Sequence, residues 1–233
     1  MPRVGRVIIP KIAHHIVQRG NNRQNVLENE NDFTSYCYWI NKYSLKYNVS
    51  ILAYCLMSNH VHFVIIPEDK AGLSKFFQTV HMRYAQYINE KRQTSGHIWQ
   101  GRFFSCVLDD AHLFQAIRYV EQNPVRANMV KYPWEYEWSS ARCHVNIPGS
   151  KHIRIEEIEI IDKDHWRDYI LNREKSSDEE LRKTTNKGKA FACDDFIKYW
   201  ERNMNCTLRD LKRGRKNRAL SPIFPLHSNK TIV

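Results

Sequence analysis

The sequence predicts an α+β fold, with an antiparallel sheet layered by helices and a mainly helical C-terminal extension. Three observations carry this. Short apolar runs alternate with stretches of 3–4 spacing over the first 148 residues, in the order β-α-β-β-α-β-α. The chain of 233 residues is 42% hydrophobic and 26% charged, which suits a packed core and excludes wholesale disorder. The pattern then changes near residue 148. Before it the chain is rich in Tyr, Trp and Phe with 17 basic against 11 acidic residues; after it 19 basic face 14 acidic residues and periodicity thins.

Each element has a local reason. Residues 8–18 (IIPKIAHHIVQ) read as a strand, with Pro10 marking an edge or a late start. Asp32 can cap a helix to about Tyr47, with Phe33, Tyr36, Cys37, Ile40 and Tyr43 on one stripe. Residues 51–57 form a strand, Ser58-Asn59 its turn, and residues 60–66 the next strand, ended by Pro67. A long helix from about Leu73 to Lys91 places Phe76, Phe77, Val80, Tyr84, Tyr87 and Ile88 on its apolar face. Residues 103–108 form a strand. Asp109 or Asp110 caps a helix from about Ala111 to Gln122, which Pro124 helps end. That order suits a sheet of ferredoxin-like type. Residues 146–150 (NIPGS) read as a linker between a domain of residues 1–148 and an extension of residues 149–233. In the extension, Asp194-Asp195 can cap a helix bearing Phe196, Tyr199, Trp200 and Met204. The run Lys212–Arg218 is basic without apolar partners.

Charge and cysteine usage narrow the function classes. A net charge of +11 and a pI near 9.4 point to a polyanionic partner, best a nucleic acid. No apolar stretch approaches 18 residues and the N-terminus lacks a signal-like apolar core, so neither a membrane partner nor secretion is expected. Six scattered cysteines without CxxC spacing read as free thiols in a reducing cytoplasm.

Four constellations could carry chemistry. In a strand His60 and His62 point to one side while Val61, Phe63 and Ile65 face a core, so the pair is half a divalent-metal site or two polar residues on a semi-exposed face. Tyr119 and Asn123 are four apart on one helix face; a tyrosine can be a nucleophile and an amide oxygen could complete the site, although an aromatic in that place also serves packing. Trp99, Gln100 and Arg102, with Phe103, interleave aromatics with polar groups suited to base stacking and phosphate contact, or to a packed turn. The loop Gln18–Arg23, with Arg19, Asn21, Asn22 and Arg23, could bind phosphates or bases, or serve only as a turn. His14 and His15 point to opposite faces and receive no metal role.

Taken together, His14–Arg23, Cys55–Phe63, Ile98–Phe103, Arg118–Ala127 and Trp138-Ser139-Ser140 resemble the single-tyrosine HUH transposases, in particular the REP-associated tyrosine transposases. The five stretches occur in the family's order and span about residues 8–142. The resemblance implies the HUH endonuclease form of the ferredoxin-like fold, a metal held by His60 and His62, and Tyr119 as nucleophile. Where more distant members carry Gln as third ligand, this chain has the shorter Asn123. It also implies DNA contacts by Arg19, Asn21, Asn22, Arg23, Trp99, Gln100, Arg102 and Arg126.

The implied reaction is cleavage of single-stranded or hairpin DNA to a 5′-phosphotyrosine and a free 3′-OH, reversible without ATP. No GxxxxGK[ST] loop is present. The cofactor would be Mg²⁺ or Mn²⁺; two histidines favour Mn²⁺ at least as much as Mg²⁺. A cytoplasmic bacterial protein, nucleoid-associated when on DNA and acting as monomer or homodimer, would follow. Two other readings are a catalytically idle hairpin-binding protein and a replication-initiation or relaxase-type nuclease. The histidine pair precedes Tyr119 by about sixty residues, whereas the relaxases place their tyrosine near the N-terminus.

Overall fold

The structure, a computed structural model, describes residues 6–148, 152–158, 163–172 and 174–209. The elements run β1 (His14–Arg19), α1 (Glu30–Lys46), β2 (Val49–Met57), β3 (His60–Pro67), α2 (Lys70–Arg92), β4 (Phe104–Leu108), α3 (Asp110–Glu121), α4 (Asn123–Arg126), α5 (Ala141–His144), α6 (Lys163–Leu171), α7 (Lys175–Lys187), β5 (Ala190–Phe191) and α8 (Asp194–Met204). The sheet order is β2-β3-β1-β4-β5, with the first four strands antiparallel to their neighbours. This is the ferredoxin-like arrangement that the sequence predicts.

Side-chain caps set the starts of the three helices of the sheet domain, α1, α2 and α3. The side chains of Asn29, Asp69 and Asp109 accept the backbone N–H of Asp32, Gly72 and His112, filling donors left open in each first turn. Asp32 is therefore not the cap expected of it. Its carboxylate is buried inside the first turn, where it accepts the Glu28 N–H at 3.1 Å and pairs with Lys91 at 2.6 Å. The first strand is also shorter than its apolar run. Lys11 takes a left-handed φ of 61° beside Pro10, so Ile8 and Ile9 enter the core outside the sheet.

Strand alternation divides the interior into two. On one face Ile16, Val61, Phe63 and Ile65 meet α1 and α2 through Tyr36, Ile40, Phe76, Phe77 and Tyr84. On the other, Ala53, Cys55 and Val64 meet Ile117 and Val120 of α3. The extension shares this second core through Trp166, Leu181 and Phe191, and β5 adds to the sheet in parallel with β4. Asp194 and Asp195 occupy the first turn of α8, one place after the cap Cys193. The basic run Lys212–Arg218 and residues 149 and 150 of the linker lie outside the described residues.

The segment Trp138-Ser139-Ser140 acts as an added edge to β2. Leu56 N donates to Trp138 O, Ser139 bridges to Cys55, and Ser140 Oγ accepts the Tyr54 N–H at 3.1 Å. The same hydroxyl donates to the buried Glu121 carboxylate at 2.5 Å, which ties the segment to α3. All six cysteines are free thiols.

Candidate active site

The site forms on the α3 face of the sheet. Antiparallel register sets Val17 opposite His62 and Arg19 opposite His60, so both histidines share the face on which His15 also lies. Their ring centroids are 4.9 Å apart, close enough for both rings to reach one ion at metal–nitrogen distances of about 2 Å. Tyr119, from the last turn of α3, places its ring 5.8 Å from His62 and 5.5 Å from His15, both edge-on.

Hydrogen bonds fix the ring orientations. His60 Nδ1 lies 2.6 Å from Asn59 Oδ1. An amide oxygen only accepts, so Nδ1 carries the proton and Nε2 keeps its lone pair. His62 Nδ1 lies 3.0 Å from His15 Nε2. Burial, with Arg19 and Arg126 adding to it, pushes His60 down to about 4. Burial and the neighbouring His60 and His15 hold His62 well below the ordinary imidazole value. Both rings are thus neutral at pH 7, the form a metal requires.

Asn123 opens α4 directly after α3. Its Nδ2 donates to Tyr119 O and Val120 O at 3.2 and 3.0 Å, leaving the amide oxygen as the ligand-type atom. Among the described residues no group of three or more His, Cys, Asp or Glu side chains gathers to hold a metal. Two imidazoles and, from Asn123, an amide oxygen are the donors these residues could offer a divalent ion of the Mn²⁺ or Mg²⁺ kind.

Arg126 lies over the Tyr119 ring, with Cζ 3.9 Å from its centroid, and Nη2 donates to Tyr119 O at 2.7 Å. Sequence analysis gives this arginine to DNA; the structure places it against the tyrosine, where its charge opposes the burial that raises the phenol. Tyr84, by contrast, is fully buried and donates to Val26 O at 2.6 Å.

The two polar loops meet beside His60. Gly20 N donates to Asn59 O, Asn21 N to Ile98 O and Gln100 N to Arg19 O. Asn22, Arg23, Gln100 and Arg102 are exposed on this rim, and Asn21 and Arg19 are half-buried. Trp99 and Phe103 are not stacking platforms. Trp99 is 7% exposed and packs among His81, Tyr36 and Tyr84, and Phe103 lies beneath Arg6 and against Phe77. Aromatic stretches next to Gly and Arg read alike whether they face a base or a core, and here the tight turn at Gly101 folds both rings inward.

Sequence reasoning missed two contributors. His15 was set aside because it cannot chelate together with His14, yet it contacts His62 directly. Helix α7 supplies Asp178 at 3.5 Å from Arg126, Thr185 at 2.8 Å from His15 and Asn186 at 3.4 Å from Arg19. Their spacing of seven and eight residues marks one helix face, a signal legible only once a partner surface is known.

A strand with paired histidines facing a tyrosine-bearing helix is the arrangement that the resemblance to the transposases implies. Residues 9–123 match the family described as "Transposase IS200 like", and this part of the chain, from before β1 through Tyr119 to Asn123, belongs to that family. The fold is similar to a solved structure described as "Structure of the REP associates tyrosine transposase bound to a REP hairpin", at 18% identity and a TM-score of 0.55, covering 68% of this chain and 95% of that one. A putative transposase from Deinococcus radiodurans R1 is also similar, at 16% identity and a TM-score of 0.36, covering 52% and 97%. No curated protein matches the sequence. No helix among the described residues is long and apolar enough to cross a membrane.

Proposed function

We propose that this transposase is a metal-dependent single-stranded DNA endonuclease and strand transferase in which Tyr119 is the nucleophile. The observation that supports it most is the convergence of His60, His62 and Tyr119 on one sheet face, with His60 Nε2 left without a proton. His60, His62 and Asn123 would hold Mg²⁺ or Mn²⁺, which when bound polarises the scissile phosphate and supports the phenolate.

Tyr119 Oη attacks phosphorus. The Tyr–O–P bond forms as the P–O3′ bond breaks, the phenol proton leaves to solvent, and the departing 3′-oxygen takes up a proton. The product is a 5′-phosphotyrosine and a free 3′-OH. One phosphodiester replaces another, so a second 3′-OH can reverse the step without ATP. Arg126 holds the tyrosine ring in place and lowers the cost of its ionisation. Arg19, Asn21, Asn22, Arg23, Gln100 and Arg102 would line the approach of the strand, and hairpin-bearing DNA is the expected substrate. The hairpin-bound transposase structure of similar fold motivates that choice. Residues 1–148 would carry the chemistry and residues 149–233 would assist it, in the bacterial cytoplasm, as monomer or homodimer.

The test is cleavage of a labelled single strand with Mn²⁺ by wild type, His60→Ala and His62→Ala. Loss of cleavage in both variants with DNA binding retained supports the ligand assignment. Cleavage at the wild-type rate in either refutes it.

A further inference from the structure

The hydrogen-bond chain behind His62 has a direction, and it starts in the C-terminal extension. Thr185 Oγ1 of α7 lies 2.8 Å from Leu181 O, the carbonyl four residues back to which a helical threonine hydroxyl gives its one proton. Its oxygen can then only accept from His15 Nδ1, 2.8 Å away. His15 therefore carries its proton on Nδ1, and its Nε2 is an acceptor. The only proton left for the 3.0 Å contact between His15 Nε2 and His62 Nδ1 belongs to His62. His62 Nε2 is thereby stripped of a proton and keeps the lone pair a metal needs. Every member of the chain is shut away from water: His15 is 0%, Thr185 1% and His62 3% exposed. No solvent molecule can easily supply the missing proton or acceptor.

We propose that Thr185, acting through His15, is a positioning residue that locks His62 into its metal-binding tautomer. This rests on the reading of His62 as a ligand. Thr185 lies beyond residues 9–123, the stretch that matches the family, so the extension completes the site. The same helix fixes Arg126 over Tyr119 through Asp178, so one element steadies both halves of the site. Without the hydroxyl, His15 Nδ1 loses its acceptor. The ring can then move its proton to Nε2 and donate to His62 Nδ1, which forces the His62 proton onto Nε2 and blocks the ligand atom.

The experiment compares full-length wild type, Thr185→Val and Thr185→Ser. Nitrogen-15 imidazole spectra of the metal-free proteins at pH 7.5 read the tautomer, and Mn²⁺ titration reads affinity. His62 is expected as the Nδ1–H tautomer in wild type and Thr185→Ser. In Thr185→Val it is expected to shift toward Nε2–H while His60 stays unchanged, with Mn²⁺ binding weakened about 10-fold. His62 remaining Nδ1–H in Thr185→Val overturns the relay. If the tautomer shifts as expected but His62→Ala binds Mn²⁺ as wild type does, the relay stands and the ligand reading fails instead.

Discussion

Gly20 offers a perturbation whose size can be worked from distances. Its φ is −63°, an ordinary value for any residue, so backbone preference does not explain the glycine. Space does. A Cβ there would lie 2.3 Å from Gln24 O and 2.9 Å from Val26 Cγ1, with Asn59 O at 3.4 Å. The first contact is with backbone, so the loop Asn21–Gln24 must retreat by close to an ångström. That loop is pinned by Asn21 N to Ile98 O and Gln24 N to Asn21 O, and Gly20 N itself holds Asn59 O at 2.8 Å. Overpacking a tight site costs about 1–3 kcal/mol, and straining two of these bonds adds roughly 1 kcal/mol. Gly20→Ala should therefore lose about 2–4 kcal/mol in urea unfolding. Because Asn59 orients His60, Mn²⁺ binding should weaken as well. A loss under about 0.5 kcal/mol with unchanged metal affinity would refute the close-approach argument.

Three further outcomes follow from the same structure. Trp99→Ala should behave as a core deletion, costing about 3–5 kcal/mol, rather than as a selective loss of DNA affinity; a stable variant that binds DNA poorly would restore the stacking role. Arg23→Ala and Arg102→Ala should leave stability near wild type and each lower the slope of log affinity against log salt by roughly 0.7 on single strands, and an unchanged slope would remove the rim from the DNA path. Burial pushes His14 down to about 4 and His15 to about 3. Below pH 6.5 the unfolded chain takes up protons these rings refuse, as do His60, His62 and His81, so stability should fall as pH drops from 6 to 4.5, by roughly 2–3 kcal/mol per unit from His14 and His15 and more from the other three; a flat urea midpoint there would contradict it.

Much of the fold was legible because strand alternation and helix stripes coincide with burial. His60-Val61-His62-Phe63 alternates as the sheet does, and Phe76, Phe77, Val80, Tyr84 and Ile88 all pack inward. The helix starts shifted by a few residues where a better-placed oxygen, such as Asn29, outcompeted a nearby acid. Trp99 misled because its neighbours are polar while its own ring is core. Helix α7 was not legible as part of the site. Thr185 and Asp178 acquire meaning only through contacts spanning 170 and 52 residues, which no local pattern encodes.

The central claim is that Tyr119 becomes covalently joined to DNA. The direct measurement is to incubate wild type and Tyr119→Phe with Mn²⁺ and single-stranded hairpin oligonucleotides, digest the trapped adduct, and map the modified peptide by mass spectrometry. The phenylalanine keeps the ring between Arg126 and the histidines and removes only the hydroxyl. The account predicts a nucleotide adduct on Tyr119 in wild type and none in the variant. An adduct that persists in Tyr119→Phe, or that maps to Tyr84 or Tyr87, would contradict it.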